Sequence, residues 1–480
     1  MLTTVSKFPI TNRKRTQSAV AAVEAWTSLH GFQLAGNKSN VLHITRRYRT
    51  PELRDIQTDT GPISSVQHAR ILGVTIDRRF NFLQHMYNTR LSTEGMNRLL
   101  NLIGGHLISG SRSTLIQVHR ATIQAKMFHG VGITSRASEA VKRKIEPTFT
   151  AGIRRASGAF RSSPVKAVLV EAGQLPFGHA ETERLVNTAC RIQAKSNNIS
   201  GELLAFKRAR DQLEKLTNEK LPEVERTTRT GGRSWSATTP KVDWEISAHV
   251  RAGDPASKVS AVFGNHIENY KNFWKIYTDG SVNGEIVGCG VVDGINNRAH
   301  HLPSQCSIFS AEAYAIMDAL KTIEVGGQPA VIFSDSASVL AAVEGGRSRH
   351  PWIQVIEAEL ERTSATLCRI PGHANIRGNE EADRLAGSAE ELEIQQTAVP
   401  AEDIKRWAKT KLRLSPSRAS GGLEVDKYNN NNNNYEHTIT TDAPGKPGAP
   451  LTTRLLLVAQ GSTSGFSGAP GHGRFPLMRL

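Results

Sequence analysis

The stretch FWKIYTDGSVNGEIVGCGVV, residues 273–292, puts a carboxylate in an awkward place. FWKIYT reads as an apolar strand, GCGVV as a second strand after the turn GSVNGE, and HHLP at 300–303 as the segment that closes a three-stranded meander. Asp279 ends the first strand, where burying its charge is costly unless an opposite charge offsets it. Asp-Gly alone is ordinary turn chemistry. The segments that follow decide between a turn and a site.

Three of them carry acids at similar positions. SAEAYAIMDALKTI (310–323) sets Ala313, Ile316, Met317 and Leu320 on one helical face, with Ser310 as the expected N-cap and Glu312 in the first turn, where it also complements the helix dipole. PAVIFSDSASVLAAV (329–343) is an apolar strand ending in Asp335 and running into a helix opened by Ser336. Carboxylates at strand ends mark the rim of a sheet, where function sits. TLCRIPGHANIRGNEEADRLAGSA (366–389) reads as a short strand, a Gly-rich loop and a helix in which Asp383 follows Glu380 and Glu381. Two of those three acids read as plain surface.

The chain of 480 residues, 38% hydrophobic and 22% charged, has material for roughly two to four domains. It contains no run of about 18 apolar residues and no secretory leader, so no membrane span and an intracellular location are expected. Cys190, Cys289, Cys306 and Cys368 are far apart, with neither a disulfide framework nor a zinc-knuckle spacing, and read as buried thiols. Charge is unevenly spread. Basic residues outnumber acidic ones by 39 to 21 over 1–270, a net +18, whereas 271–390 carries 10 against 15, a net −5. A basic half that binds polyanions beside a half that concentrates carboxylates suits metal-dependent nucleic-acid chemistry; a solvated basic surface is the alternative.

The order TDGS with Asp279, SAEAYAIMDAL with Glu312, FSDS with Asp335, and PGHANIRGNEEADRLA with His373 and Asp383 resembles the type-1 ribonuclease H domain, most closely that of non-LTR retrotransposon polyproteins. The resemblance implies an α/β (α+β mixed) fold, a five-stranded mixed sheet flanked by helices over 268–392, and cleavage of the RNA strand of an RNA–DNA hybrid. It implies two Mg²⁺ ions, with Mn²⁺ as a substitute, held by Asp279, Glu312, Asp335 and Asp383, with Asp279 bridging them. His373, on a loop with Gly372 and Gly378, is suited to proton transfer or product release. Ser281 and Asn283 are candidates for substrate contact, although turn formation explains them equally well. One departure is Arg369, where the family usually has an aromatic residue.

EAWTSLHGFQLAGNKSNVLHI (24–44) and RILGVTIDRRFNFLQHM (70–86) resemble the palm end of a non-LTR reverse transcriptase. On that basis 1–90 is a truncated palm remnant, 91–217 a helical thumb or connection, 218–267 a linker, and 393–480 a low-complexity tail expected to be disordered. VLHIT (41–45) and RILGVTID (70–77) are expected to form a hairpin or adjacent strands. Residues 1–17 contain no Asp for a polymerase site, so no DNA synthesis is expected and Lys38 has no nucleotide to assist. Two readings stay open: a working hybrid-specific endonuclease, and a non-catalytic nucleic-acid-binding remnant of a decayed retroelement.

Overall fold

The computed structural model of the chain describes residues 9–45, 55–104, 110–195, 204–227, 242–251, 254–363, 365–372 and 374–418. It divides into two compact units, Met1–Arg413 and Leu414–Leu480, and the described residues of the second unit, 414–418, are helical. Among the described residues no helix is long and apolar enough to cross a membrane.

The N-terminal region is mainly helical. Helix Pro9–Leu29 ends before Gly31, whose φ of +74° supplies the left-handed stop. RILGVTID turns out to be a hairpin in itself: His68–Ile71 pairs antiparallel with Val74–Asp77 across Leu72 and Gly73. VLHIT pairs elsewhere, through Asn40–Leu42 in parallel with Ser64–Val66. The two segments therefore form no hairpin with each other, because the Leu-Gly step breaks the second run, but they lie adjacent at their ends, where the Thr45 amide donates to the Arg78 carbonyl oxygen at 2.9 Å. Lys38 closes a short turn, Gly36–Lys38. Helices from Leu83–Ile103 to Leu204–Thr217 enclose Phe149, whose ring meets those of Phe128 at 6.1 Å and Phe177 at 5.6 Å.

Among the described residues of 242–418, six strands form one sheet: β1 Val242–Asp243, β2 Trp274–Asn283, β3 Ile286–Val292, β4 Arg298–Leu302, β5 Ala330–Ser334 and β6 Thr366–Arg369, in the order β1-β6-β5-β2-β3-β4. The first three neighbour pairs are parallel and β2-β3-β4 is the antiparallel meander expected from the apolar runs and the turn between them. Helices α1 Glu245–His249, α2 Ala256–Ile267, α3 Ile308–Lys321, α4 Ala337–Gly345, α5 Pro351–Arg362, α6 Arg377–Gly387 and α7 Ala401–Arg418 accompany it.

Two expectations are corrected here and one is extended. Within 268–392 the mixed sheet has the five expected strands, and Val242–Asp243, outside those bounds, adds a sixth at the edge beside Leu367–Cys368. The assigned linker 218–267 is folded over its described part: α2 repeats Val259, Val262, Phe263 and Ile267 at helical spacing, and that stripe packs on Phe333, Cys368 and Tyr270. The composition that suggested a linker lies at 227–240, almost all of it outside the described residues. The assigned tail begins too early. Ile394 bridges His301, Val399 bridges Val224, and Ile404, Trp407, Ala408 and Leu412 of α7 are buried at helical spacing. Residues 419–480 of the expected disordered tail lie outside the described residues.

The meander owes one close contact to glycine. A Cβ at Gly288 would strike the Ala386 carbonyl oxygen, and one at Gly290 the Ala382 carbonyl oxygen, so α6 lies directly on the backbone of β3. Gly290→Val should therefore push α6 off the sheet and cost about 1–3 kcal/mol, read as a lower urea midpoint by tryptophan fluorescence. An unchanged midpoint would mean that α6 does not rest on β3.

Candidate active site

Strand register builds the site. β5 stops at Ser334, which pairs with Thr278, so Asp279 is the first residue of β2 past the end of its parallel neighbour. Asp335 follows Ser334 directly. The two carboxylates thus emerge side by side in the notch where the parallel pairing ends, the position at which open α/β sheets place ligands. Asp279 stays in the sheet on its other side, opposite Gly290, and is only 6% exposed.

Glu312 and Asp383 come from helices on opposite faces. Helix α3 lies against Gly280, where a Cβ would stand 2.8 Å from the Glu312 amide nitrogen and 3.1 Å from its Cγ. The cap of α3 is Ser307, whose side chain accepts from the Ser310 amide, so Ser310 is not the N-cap. Ser310 is instead buried, donating to Asp403 Oδ2 at 2.5 Å while meeting His350 Nε2 at 2.9 Å; the Ser307 amide donates to the same Asp403 oxygen at 3.1 Å. This anchor of the helix that carries Glu312 was missed in the sequence, and its only local sign is the acidic opening of α7. Asp383 reaches the site from α6, half-buried.

Carboxylate oxygens of Asp279, Glu312 and Asp335 all lie within 4.8 Å of one another. Asp383 stands outside that trio, near enough for its charge to act on Asp279. His373 lies outside the described residues; the preceding Gly372 lies against Asp335, where a Cβ would be 2.5 Å from Oδ2. Ser281 and Asn283 are not in the turn. They belong to β2, alternate with it on the face of Asp279, and run outward from half-buried to exposed. Arg369, in place of an aromatic residue, donates to Ser247 Oγ of α1 at 3.2 Å.

The electrostatics are those of crowded anions. Burial, then the Asp335 charge, then Asp383 push Asp279 up to about 7, although the Gly280 amide donates to its Oδ1 at 2.7 Å. Burial, then the charges of Asp279 and Asp335, push Glu312 up to about 9, so the pair it forms with Asp279 favours holding a proton. Glu312 Oε2 is buried with no hydrogen-bond partner among the described residues. Three hard oxygen donors, mutual repulsion and an unsatisfied buried oxygen fit a divalent cation of the magnesium class.

A family model described as RNase H matches residues 271–391, about a quarter of the chain. A search of the curated proteins finds no match. The matched segment holds all four carboxylates and the strands β2 to β6. That segment is similar to RNase H, and the match supports a ribonuclease H enzyme acting on RNA–DNA hybrids at the level of the family.

The raised carboxylates have a measurable consequence in protein stripped with chelator. A carboxyl whose folded value lies above its unfolded one stabilises the fold fully below the unfolded value, and that contribution is lost as pH rises through the folded value. For Asp279 and Glu312 the window runs from the ordinary carboxylate values, 3.8 and 4.5, up to about 7 and about 9. Wild-type stability should fall across it by on the order of 1–3 kcal/mol, and Glu312→Gln should flatten the decline. Parallel stability–pH curves for the two proteins would remove Glu312 from the cluster.

Proposed function

We propose that the chain is a divalent-metal-dependent endonuclease that cleaves the RNA strand of RNA–DNA hybrids. The observation that carries this reading is the trio Asp279, Glu312 and Asp335, with oxygens within 4.8 Å and one buried oxygen unsatisfied, inside a segment that matches RNase H. Asp279, Glu312, Asp335 and Asp383 would hold two Mg²⁺ ions, or Mn²⁺ in their place. A bound pair of such ions supplies an activated water and neutralises the leaving oxyanion. The protein's own residues do the rest. Strand register and the Ser307 cap fix Asp279, Asp335 and Glu312 before substrate arrives. Ser281 and Asn283, stepping outward from Asp279, would meet sugar or phosphate of the bound strand, and the 2′-hydroxyl distinguishes RNA there. His373 would move a proton to or from the cleaved phosphodiester.

The retroelement origin belongs to the same reading. A helix, a small hairpin at 68–77 and a helical bundle precede the RNase H domain in the order of a reverse transcriptase palm end and thumb, and these residues carry most of the basic charge. They would hold the hybrid by its phosphates. No polymerase activity is expected of them.

Cleavage of an end-labelled hybrid tests the catalytic assignment. Asp279→Asn and Asp335→Asn should each abolish metal-dependent cleavage with the fold retained, whereas His373→Ala should lower turnover by about 10²–10⁴ with an unchanged metal requirement. Full activity in either Asn variant would sink the assignment, and a large rise in the metal needed by His373→Ala would make His373 a ligand.

A second measurement tests the basic region. Arg143, Lys144, Arg155 and Arg161 are exposed in the helical bundle. Replacing all four with Gln should flatten the dependence of hybrid affinity on log salt by up to roughly 0.7–0.9 for each phosphate that is no longer neutralised. A slope equal to that of the wild type would leave this patch a bystander.

A further inference from the structure

A second cluster of ligating side chains lies at the far edge of the sheet and shares no residue with the carboxylate notch. Cys368 of β6 is fully buried and sits directly opposite Asp243 of β1 in the strand register. His266, in the last turn of α2, is buried as well and points Nε2 at Asp243 Oδ2, 2.8 Å away. A carboxylate oxygen, a ring nitrogen and the thiol sulfur of these three residues all lie within 4.8 Å of one another.

We propose that Asp243, His266 and Cys368 form a binding site for a borderline transition-metal cation of the zinc class, pinning β1 and α2 to the sheet. The donor set selects the metal: a thiolate with an imidazole and one carboxylate suits zinc, while magnesium and calcium take oxygen donors. The surrounding groups suit it too. Glu245 Oε2 lies 3.4 Å from His266 Nδ1, within reach to hold a proton on that nitrogen once Nε2 is bound to a cation, the usual arrangement behind a metal-bound histidine. Asp243 is oriented by the Glu245 amide, which donates to Oδ1 at 2.9 Å, and by the Tyr270 hydroxyl, which donates to Oδ2 at 2.5 Å. Cys368 has no comparable hydrogen bond among the described residues: its sulfur only approaches the Arg369 carbonyl oxygen at 4.0 Å. Access is provided on the Glu245 side, where that carboxylate is 60% exposed and Asp243 is 15% exposed. A water completes four-coordination.

Binding couples to folding. The three ligands come from β1, α2 and β6, so the cation would join the segment before residue 271 to the sheet, and holding it deprotonates the thiol. The competing arrangement is a hydrogen-bonded Asp243–His266–Tyr270 group that packs against an inert thiol.

Cobalt(II) titration of the full chain, purified and stripped with chelator, separates the two. One equivalent should produce the near-ultraviolet thiolate-to-cobalt charge-transfer band, which carboxylates alone cannot give, and zinc should bleach it. Cys368→Ser should abolish the band, and Asp243→Asn, which retains the Tyr270 hydrogen bond, should weaken cobalt binding at least tenfold. Asp279→Asn should leave the band intact. Zinc should raise the urea midpoint of the wild type and not of Cys368→Ser. A wild-type chain with no charge-transfer band, or a band that survives Cys368→Ser, overturns the proposal.

Discussion

Everything in the segment that matches RNase H is arranged around the cost of placing Asp279, Glu312 and Asp335 together at low exposure. Like charges at this separation inside a protein repel by several kcal/mol unless protonated or matched by cations. The protein accepts that cost in the most rigid place it has. Asp279 is fixed within a strand that pairs on both sides up to the residue before it, Asp335 follows a strand whose residues are all buried, and Glu312 stands in the first turns of a capped helix. Rigidity is the reason the repulsion persists: a looser notch would relax by turning the carboxylates out to water, and a cation would then have to gather them again out of its own binding energy.

The same constraint explains the glycines. A strand that carries a buried acid must let helices from both faces come close enough to bring their own acids, and side chains on β2 and β3 would hold those helices away. Gly280 admits α3 on one face; Gly288 and Gly290 admit α6 on the other. Helix approach, and not turn formation, is therefore what the GCG run in β3 serves.

Legibility in the sequence followed the range of the interactions. Asp279, Asp335 and Glu312 were readable because each is marked by its own element: an apolar strand that stops, or a helix that starts, within a few residues of the acid. Ser281 and Asn283 were placed in a turn because Gly284 and Glu285 look like its end, and only the pairing of Asn283 with Ile286 shows the strand continuing. Strand β1 was invisible, since two residues carry no period. The Asp243, His266 and Cys368 group was equally hidden: its members are 23 residues apart along one segment and across a register from another, with no spacing to betray them. Asp403 belongs to the same class, a single acid whose partner serines lie more than 90 residues earlier.

These long-range contacts also set where the working unit begins and ends. The matched segment, 271–391, contains the carboxylates but not what holds their supports in place. On one side, α2 covers Phe333 and Cys368, the face of β5 and β6 that would otherwise meet water just behind Asp335. On the other, Asp403 occupies the N-terminal end of α3, where a negative charge complements the helix dipole and holds the Ser307 amide and the Ser310 hydroxyl. Glu312 lies two residues beyond Ser310. Removing either flank leaves the ligand set complete in sequence while freeing the strand end and the helix start that aim it, so the smallest piece able to keep the carboxylates in register extends beyond the family match in both directions.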